Sequence, residues 1–220
     1  MILAAGRGER MRPLTDDLPK SLLRAGGKPL VVWLIERLAR AGIRELVVNH
    51  AHKGEMIEAA LGDGSSLGVS IRYSPEAQAL ETAGGIANAL ASLGDGPFVA
   101  VAADIYTDYD FSRLLERSVA GLGEAHLVLV PNPDHNRNGD FGLQQSRVLN
   151  QPRQFTFSGI GLYRRQLFDS VSPGSTAKLA PLLRRAIEAG RVSGELHEGE
   201  WRDIGTPARL AALERDLTQE

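Results

Sequence analysis

Phe98-Val99-Ala100-Val101-Ala102, followed two residues later by Asp104, sets the architecture. Apolar residues without polar alternation suit a strand covered on both faces, as in the middle of a parallel sheet. Toward the N-terminus, helical and strand patterns alternate: residues 85–93 read as helix, 69–73 as strand, 55–61 as helix and 45–49 as strand. Residues 29–41 carry Leu30, Leu34, Ile35 and Leu38 at helical spacing and stop at Gly42, a good residue just past a helix end. Residues 1–5 form a short apolar strand. Toward the C-terminus, residues 111–119 read as helix and 127–130 as another buried strand. This alternation predicts an α/β fold with a doubly wound, mostly parallel sheet and helices on both faces.

Past residue 130 the character changes. Asn132, Pro133, Asp134, Asn136, Asn138 and Gly139 make a polar, turn-rich stretch. Residues 141–149 and 155–163 then read as antiparallel strands, 179–189 as helix and 207–217 as a closing amphipathic helix. No repeat or low-complexity segment divides the chain, so residues 1–220 are expected to form one domain. Its parts would be 1–130, 131–206 and the helix from 207.

Bulk properties remove several classes. The 220 residues are 43% hydrophobic, enough for one continuous core, and the net charge of −2 gives no basic field for nucleic acid. There is no cysteine, which excludes a disulfide scaffold, a thiolate zinc site and a cysteine nucleophile. No apolar run approaches the roughly 20 residues of a membrane span, and the opening apolar stretch is too short for a signal segment. A cytoplasmic protein without a membrane partner is expected.

The first strand runs into Gly6 and Gly8, and then into Arg7, Arg10, Arg12 and Lys20. Glycines there let the backbone approach a ligand and turn consecutive N–H groups toward an anion; a plain turn flanked by solvated arginines is the alternative. A dinucleotide fingerprint needs a third glycine where Met11 stands. A Walker loop needs Gly-Lys-Ser/Thr, but Gly27-Lys28 is followed by Pro29.

The longer string Leu3-Ala4-Ala5-Gly6-Arg7-Gly8-Glu9-Arg10-Met11-Arg12-Pro13-Leu14-Thr15, with Pro19-Lys20-Ser21-Leu22, resembles the signature of the sugar-1-phosphate nucleotidyltransferases. The resemblance implies that the backbone from Leu3, Ala4 and Ala5 through Gly6 and Gly8 holds the triphosphate. Arg10 and Lys20 would neutralise it and the departing pyrophosphate. It also implies that Asp104 and Asp203, the latter in Trp201-Arg202-Asp203-Ile204-Gly205, ligate Mg2+. The family usually has glycine before the first aspartate, where this chain has Ala103. Asp110, immediately before Phe111, is expected to cap a helix instead.

In the family, the stretch from Pro75 to Gly85 reads the base. Glu81 would accept from the ring N–H of uracil while the Gly85 backbone donates to a carbonyl; Glu81 as a first-turn helix residue is the alternative. Gly142, Ser158 and Gly159 resemble positions lining the sugar pocket, or else pack tightly between strands. Where most relatives have Glu-Lys-Pro, this chain has Asn150-Gln151-Pro152-Arg153. Arg153 or Lys178 would replace that lysine at the sugar phosphate, or both are solvated. Lys178 is expected in a helix's first turn behind a cap at Ser175 or Thr176. His50, in Asn49-His50-Ala51-His52, is expected to line the site or to be structural, not to bind metal.

Within the family, Asn49-His50, Leu80-Glu81-Thr82, Phe157-Ser158-Gly159 and Lys178-Leu179-Ala180-Pro181 are most similar to the branch acting on N-acetylmuramate α-1-phosphate. That branch implies UTP and a sugar 1-phosphate as substrates, and a monomer. The same loop also serves mannose-1-phosphate guanylyltransferases. A non-catalytic subunit sensing nucleotide sugars is the alternative of another class; it is disfavoured because Arg10, Lys20 and both aspartates are all present.

Overall fold

A computed structural model describes residues 1–119 and 121–219. The elements are β1 (Ile2–Leu3), β2 (Arg24–Ala25), β3 (Lys28–Pro29), α1 (Leu30–Arg40), β4 (Glu45–His50), α2 (Gly54–Leu61), β5 (Ser70–Pro75) and α3 (Glu81–Leu93). Next come β6 (Phe98–Ala102), β7 (Ile105–Thr107), α4 (Ser112–Val119), β8 (Ala125–Pro131), β9 (Gly142–Gln144), β10 (Arg147–Leu149) and β11 (Phe155–Tyr163). α5 (Leu179–Glu188), β12 (Val192–Leu196), β13 (Trp201–Asp203) and α6 (Pro207–Gln219) complete the chain. Nine strands form one sheet in the order β5-β4-β1-β6-β11-β8-β12-β10-β9. Only β10 and β11 run against the other seven. The α/β fold with a largely parallel central sheet is therefore present.

The apolar run in β6 explains itself in the packing. Val99 and Val101 belong to one core, with Leu34 of α1, Ile57 of α2 and Leu114 of α4. Phe98 and Ala100 belong to a second core, with Ile86 of α3 and Leu182 of α5. Successive strand side chains point to opposite faces, so both faces of β6 are covered and no polar position is left. Each fully buried Leu or Ile contributes about 1.5–3 kcal/mol. α1 ends as its sequence suggests: Gly42 takes φ 88° and the Ile43 N–H reaches back to the Leu38 carbonyl at 2.9 Å.

The antiparallel strands are spliced into the main sheet. β11 lies between β6 and β8, with a register break between Phe157 and Gly161. Residues 141–149 are not one strand: Gln145 at φ 55° turns them into the β9–β10 hairpin. α3 begins at Glu81, four residues earlier than expected. The strands β12 and β7–β13 carry no clear sequence pattern, and the latter pair matters most for the site. Among the described residues no helix is long and apolar enough to cross a membrane.

Candidate active site at the junction of two clefts

The carboxyl ends of β1, β4 and β6 open onto a cleft of about 460 Å3, where ligands sit in open α/β sheets. Leu3, Ala4, Ala5, Gly6, Gly8, Arg10 and Lys20 line it. Gly8 takes φ 72°, and its carbonyl accepts from Thr15 Oγ1 and the Met11 N–H, both at 2.9 Å. A Cβ on Gly8 would lie 3.0 Å from Thr15 Cγ2, whereas one on Gly6 would meet no protein atom within 4 Å. Gly6 thus keeps space free for a ligand, while Gly8 shapes the turn. Met11, at the position that excluded a dinucleotide fingerprint, is fully buried and anchors the loop. Ser21 also lines this cleft, with its hydroxyl buried and unpartnered.

Asp104 follows β6 and ion-pairs with Lys20. The Ala103 methyl points into the first core, so it packs without displacing the aspartate.

A second cleft, about 410 Å3, shares Arg10, Ala102 and Asp104 with the first. Ser158, Gly159, Trp201, Asp203, His135 and Asn136 are among its other walls. The register break in β11 builds this wall. Gly159 takes φ 79°, and Ser158 Oγ donates to the Val128 carbonyl at 2.7 Å and accepts from the Ile160 N–H at 3.1 Å. The Ser158 hydroxyl therefore belongs to the bulge, and its carbonyl accepts from Trp201 Nε1 at 2.9 Å.

The β7–β13 ribbon brings the two aspartates together. Asp203 pairs with Ile105, and the Ile204 N–H donates to the Asp104 carbonyl at 2.9 Å. Asp203 accepts from Arg209 Nη1 at 3.0 Å, with His135 Nε2 3.5 Å away. Burial, then the positive charge of Arg209, lowers the His135 pKa from its usual value. No group of three His, Cys, Asp or Glu residues suited to a metal occurs among the described residues. Two carboxylates at the junction nevertheless fit a hard cation that takes its remaining ligands from phosphate and water.

Several expected residues lie elsewhere. Gly85, Gly142, Arg153 and Lys178 line neither cleft. Gly85 sits a full turn inside α3, where its N–H belongs to the helix ladder. A Cβ on Gly142 would lie 2.4 Å from the Pro152 carbonyl, so this glycine serves close strand packing. Arg153 and Lys178 are exposed. Lys178 is itself the residue capping α5, in extended conformation and without a side-chain cap bond, so neither Ser175 nor Thr176 caps that helix. Glu81 does line the first cleft, at φ 62°. His50 is structural: its Nε2 meets Glu58 Oε1 at 2.7 Å and its ring packs on Gly54. Asp110 accepts from the Ser112 N–H at 3.0 Å and so caps the start of α4.

A glycine loop, Arg10 and Asp104 shared by two clefts, Lys20 in the first and Asp203 in the second match the arrangement expected of a nucleotidyltransferase. The chain belongs to the nucleotidyl transferase family, whose model matches residues 1–220. It is 55% identical to an N-acetylmuramate alpha-1-phosphate uridylyltransferase of Neisseria meningitidis serogroup B, covering 96% of this chain and 94% of that one. A Caulobacter vibrioides protein of the same name is 33% identical over 98% of this chain and 95% of its own. A mannose-1-phosphate guanylyltransferase of Mycobacterium tuberculosis is 29% identical, and this chain spans 64% of its length. In fold, the chain is similar to a Bacillus anthracis structure described as a glucose-1-phosphate thymidylyltransferase. That match has a TM-score of 0.87 at 22% identity, covering 100% and 94% of the two chains.

Proposed function

We propose that this enzyme transfers UMP from UTP to N-acetylmuramate α-1-phosphate, giving the UDP-sugar and pyrophosphate. The observation that carries the reaction is the junction: Arg10 and Asp104 wall both clefts, so donor and acceptor phosphates meet there. The uridylyl donor and the sugar rest on the 55% identity along nearly the full length of both chains. An oxygen of the acceptor phosphate attacks the α-phosphorus of UTP; the bond to the β-phosphate oxygen breaks, and pyrophosphate leaves with that electron pair. Such a reaction is driven mainly by alignment and charge neutralisation.

In this reading the backbone from Leu3 to Gly8 holds the triphosphate, and Arg10 and Lys20 offset its charge. Glu81 faces the base, with both Ser158 and Gly159 walling the sugar side. Asp104 and Asp203 hold Mg2+, which when bound lowers the negative charge that repels the attacking phosphate. Arg10 takes the acceptor phosphate in preference to Lys178 and Arg153, which stand outside both clefts. One chain supplies both clefts, consistent with a monomer working in the cytoplasm; sedimentation of the purified protein checks the former.

The test is purified protein with Mg2+, UTP and N-acetylmuramate 1-phosphate, read by pyrophosphate release and product mass. A UDP-sugar is expected. GTP with mannose 1-phosphate serves as the opposing arm, and turnover only there would overturn both the base and the sugar.

A further inference from the structure

A chain of hydrogen bonds crosses the floor of the first cleft. The Ala4 N–H donates to Asn49 Oδ1 at 2.9 Å. Asn49 Nδ2 donates to Glu76 Oε1 at 2.6 Å, and Glu76 Oε2 accepts from the Leu80 N–H at 2.9 Å. Asn49 is 3% exposed and Glu76 7%, and no cation pairs with Glu76 among the described residues. The two ends of this chain are the two sides of the cleft: Ala4 roots the phosphate loop, and Leu80 precedes Glu81 at the start of α3. The helix N-terminus favours a carboxylate at that point.

We propose that Asn49 and Glu76 are positioning residues, a brace that holds phosphate loop and base loop in one relative placement. The proposal rests on the nucleotide reading of this cleft. Its logic is polarity. Both ends of the chain are backbone donors, so the interior must present an acceptor to each. An amide followed by an acceptor-only carboxylate meets that demand. A glutamine side chain at position 76 would turn its NH2 toward Asn49 Nδ2 or the Leu80 N–H, donor against donor. An aspartate side chain at position 49 would set two carboxylates face to face. Gly85 belongs to the same arrangement: a Cβ there would come within 2.6 Å of Glu76 Oε1 and 2.7 Å of Asn49 Nδ2.

Reversing the chain gives the experiment. In Asn49→Asp/Glu76→Gln together, the carboxylate at position 49 accepts from the Ala4 N–H and from the amide at position 76, whose oxygen accepts from the Leu80 N–H. UTP binding by calorimetry, KM for each substrate and melting temperature are measured for parent, both singles and the double. Each single should weaken UTP about tenfold or more, because a buried polar group is left mismatched. The acceptor KM should stay within about twofold, and the double should recover UTP to within about threefold of the parent. Gly85→Ala, which presses on the same bond, should also weaken UTP. Singles that melt earlier yet bind UTP like the parent would reduce the pair to a stability role. A double no better than the worse single, or one that does not fold, overturns the proposal. Parent protein that binds UTP but transfers nothing fails the functional reading instead, and the calorimetric arms still decide the brace.

Discussion

The two clefts are built by different means. The first has one wall from a single contiguous segment, Leu3 to Arg10, with Lys20, Asn49, Glu81 and Asp104 among the residues that complete it. The second collects side chains and bulged backbone from segments far apart in the chain: Arg10, Asp104, His135, Ser158, Trp201 and Asp203. In the proposed reading the first cleft holds a triphosphate, which main-chain N–H groups can recognise whatever the side chains are. In the same reading the second cleft faces the acceptor sugar, and its wall is assembled where side chains can change without disturbing the loop. Arg10 and Asp104 are common to both, and substitutions can test where one cleft's work ends and the other's begins.

The largest effect is expected at that shared point. Asp104→Asn should reduce kcat by about a thousandfold or more, consistent with loss of transition-state charge stabilisation, while circular dichroism and melting stay near the parent. Retained turnover would mean that the metal is held elsewhere. Lys20→Met should lower kcat about a hundredfold and, if the first cleft alone handles the triphosphate, leave the acceptor KM unchanged. Arg209→Ala should act on the other side. It frees the Asp203 carboxylate, and an approximately tenfold rise in the Mg2+ needed for half-maximal rate, with UTP affinity intact, is the expected reading.

Smaller effects sharpen the picture further. Glu81 occupies a left-handed conformation at φ 62°, which costs a non-glycine residue about 1 kcal/mol. Glu81→Gly should therefore raise the melting temperature slightly while reducing preference for UTP over other nucleotides. Glu81→Gln with unchanged preference would remove the residue from base reading. The smallest effect lies away from both clefts. His126 is buried, and that burial, partly opposed by Glu195, pushes its pKa down to about 4. The unfolded chain protonates this imidazole near pH 6.5, so its contribution is complete above that pH and fades as pH falls toward 4. His126→Phe should flatten the fall in melting temperature across that window. An unchanged slope would shift the acid sensitivity to other groups.

What is legible in the sequence follows the same division. The covered β6, the helix ending at Gly42 and the glycine loop after β1 are local patterns, and each stands where its residues suggest. Asp104 and Asp203 are legible through motif resemblance, whereas the β7–β13 ribbon that aligns them joins residues far apart in the chain. β12 is hidden because Gly194 and Glu195 interrupt any strand pattern. Gly194 is small because a Cβ there would lie 2.6 Å from Val148 Cγ2 of β10. Lys178 suggests a phosphate site by its position near a helix start, but where that helix docks is a tertiary fact. Arg209 carries no local signal beyond being a cation in the first turn of α6, where the helix dipole disfavours one. That anomaly is the available clue. Asn49 stands beside His50, whose chemistry draws the eye although its role is structural.

The ribbon has a consequence for how such a chain tolerates change. Side chains alternate across a strand, so sliding β13 by one residue against β7 would turn Asp203 away from Asp104 altogether. The chain between the two strands carries β8, β11 and β12 of the main sheet and the Ser158 and Gly159 wall of the second cleft, so that frame sets where the three-residue zipper closes. The joint presence of Asp104 and Asp203 in the second cleft thus behaves as a digital property of register, intolerant of a single-step slip.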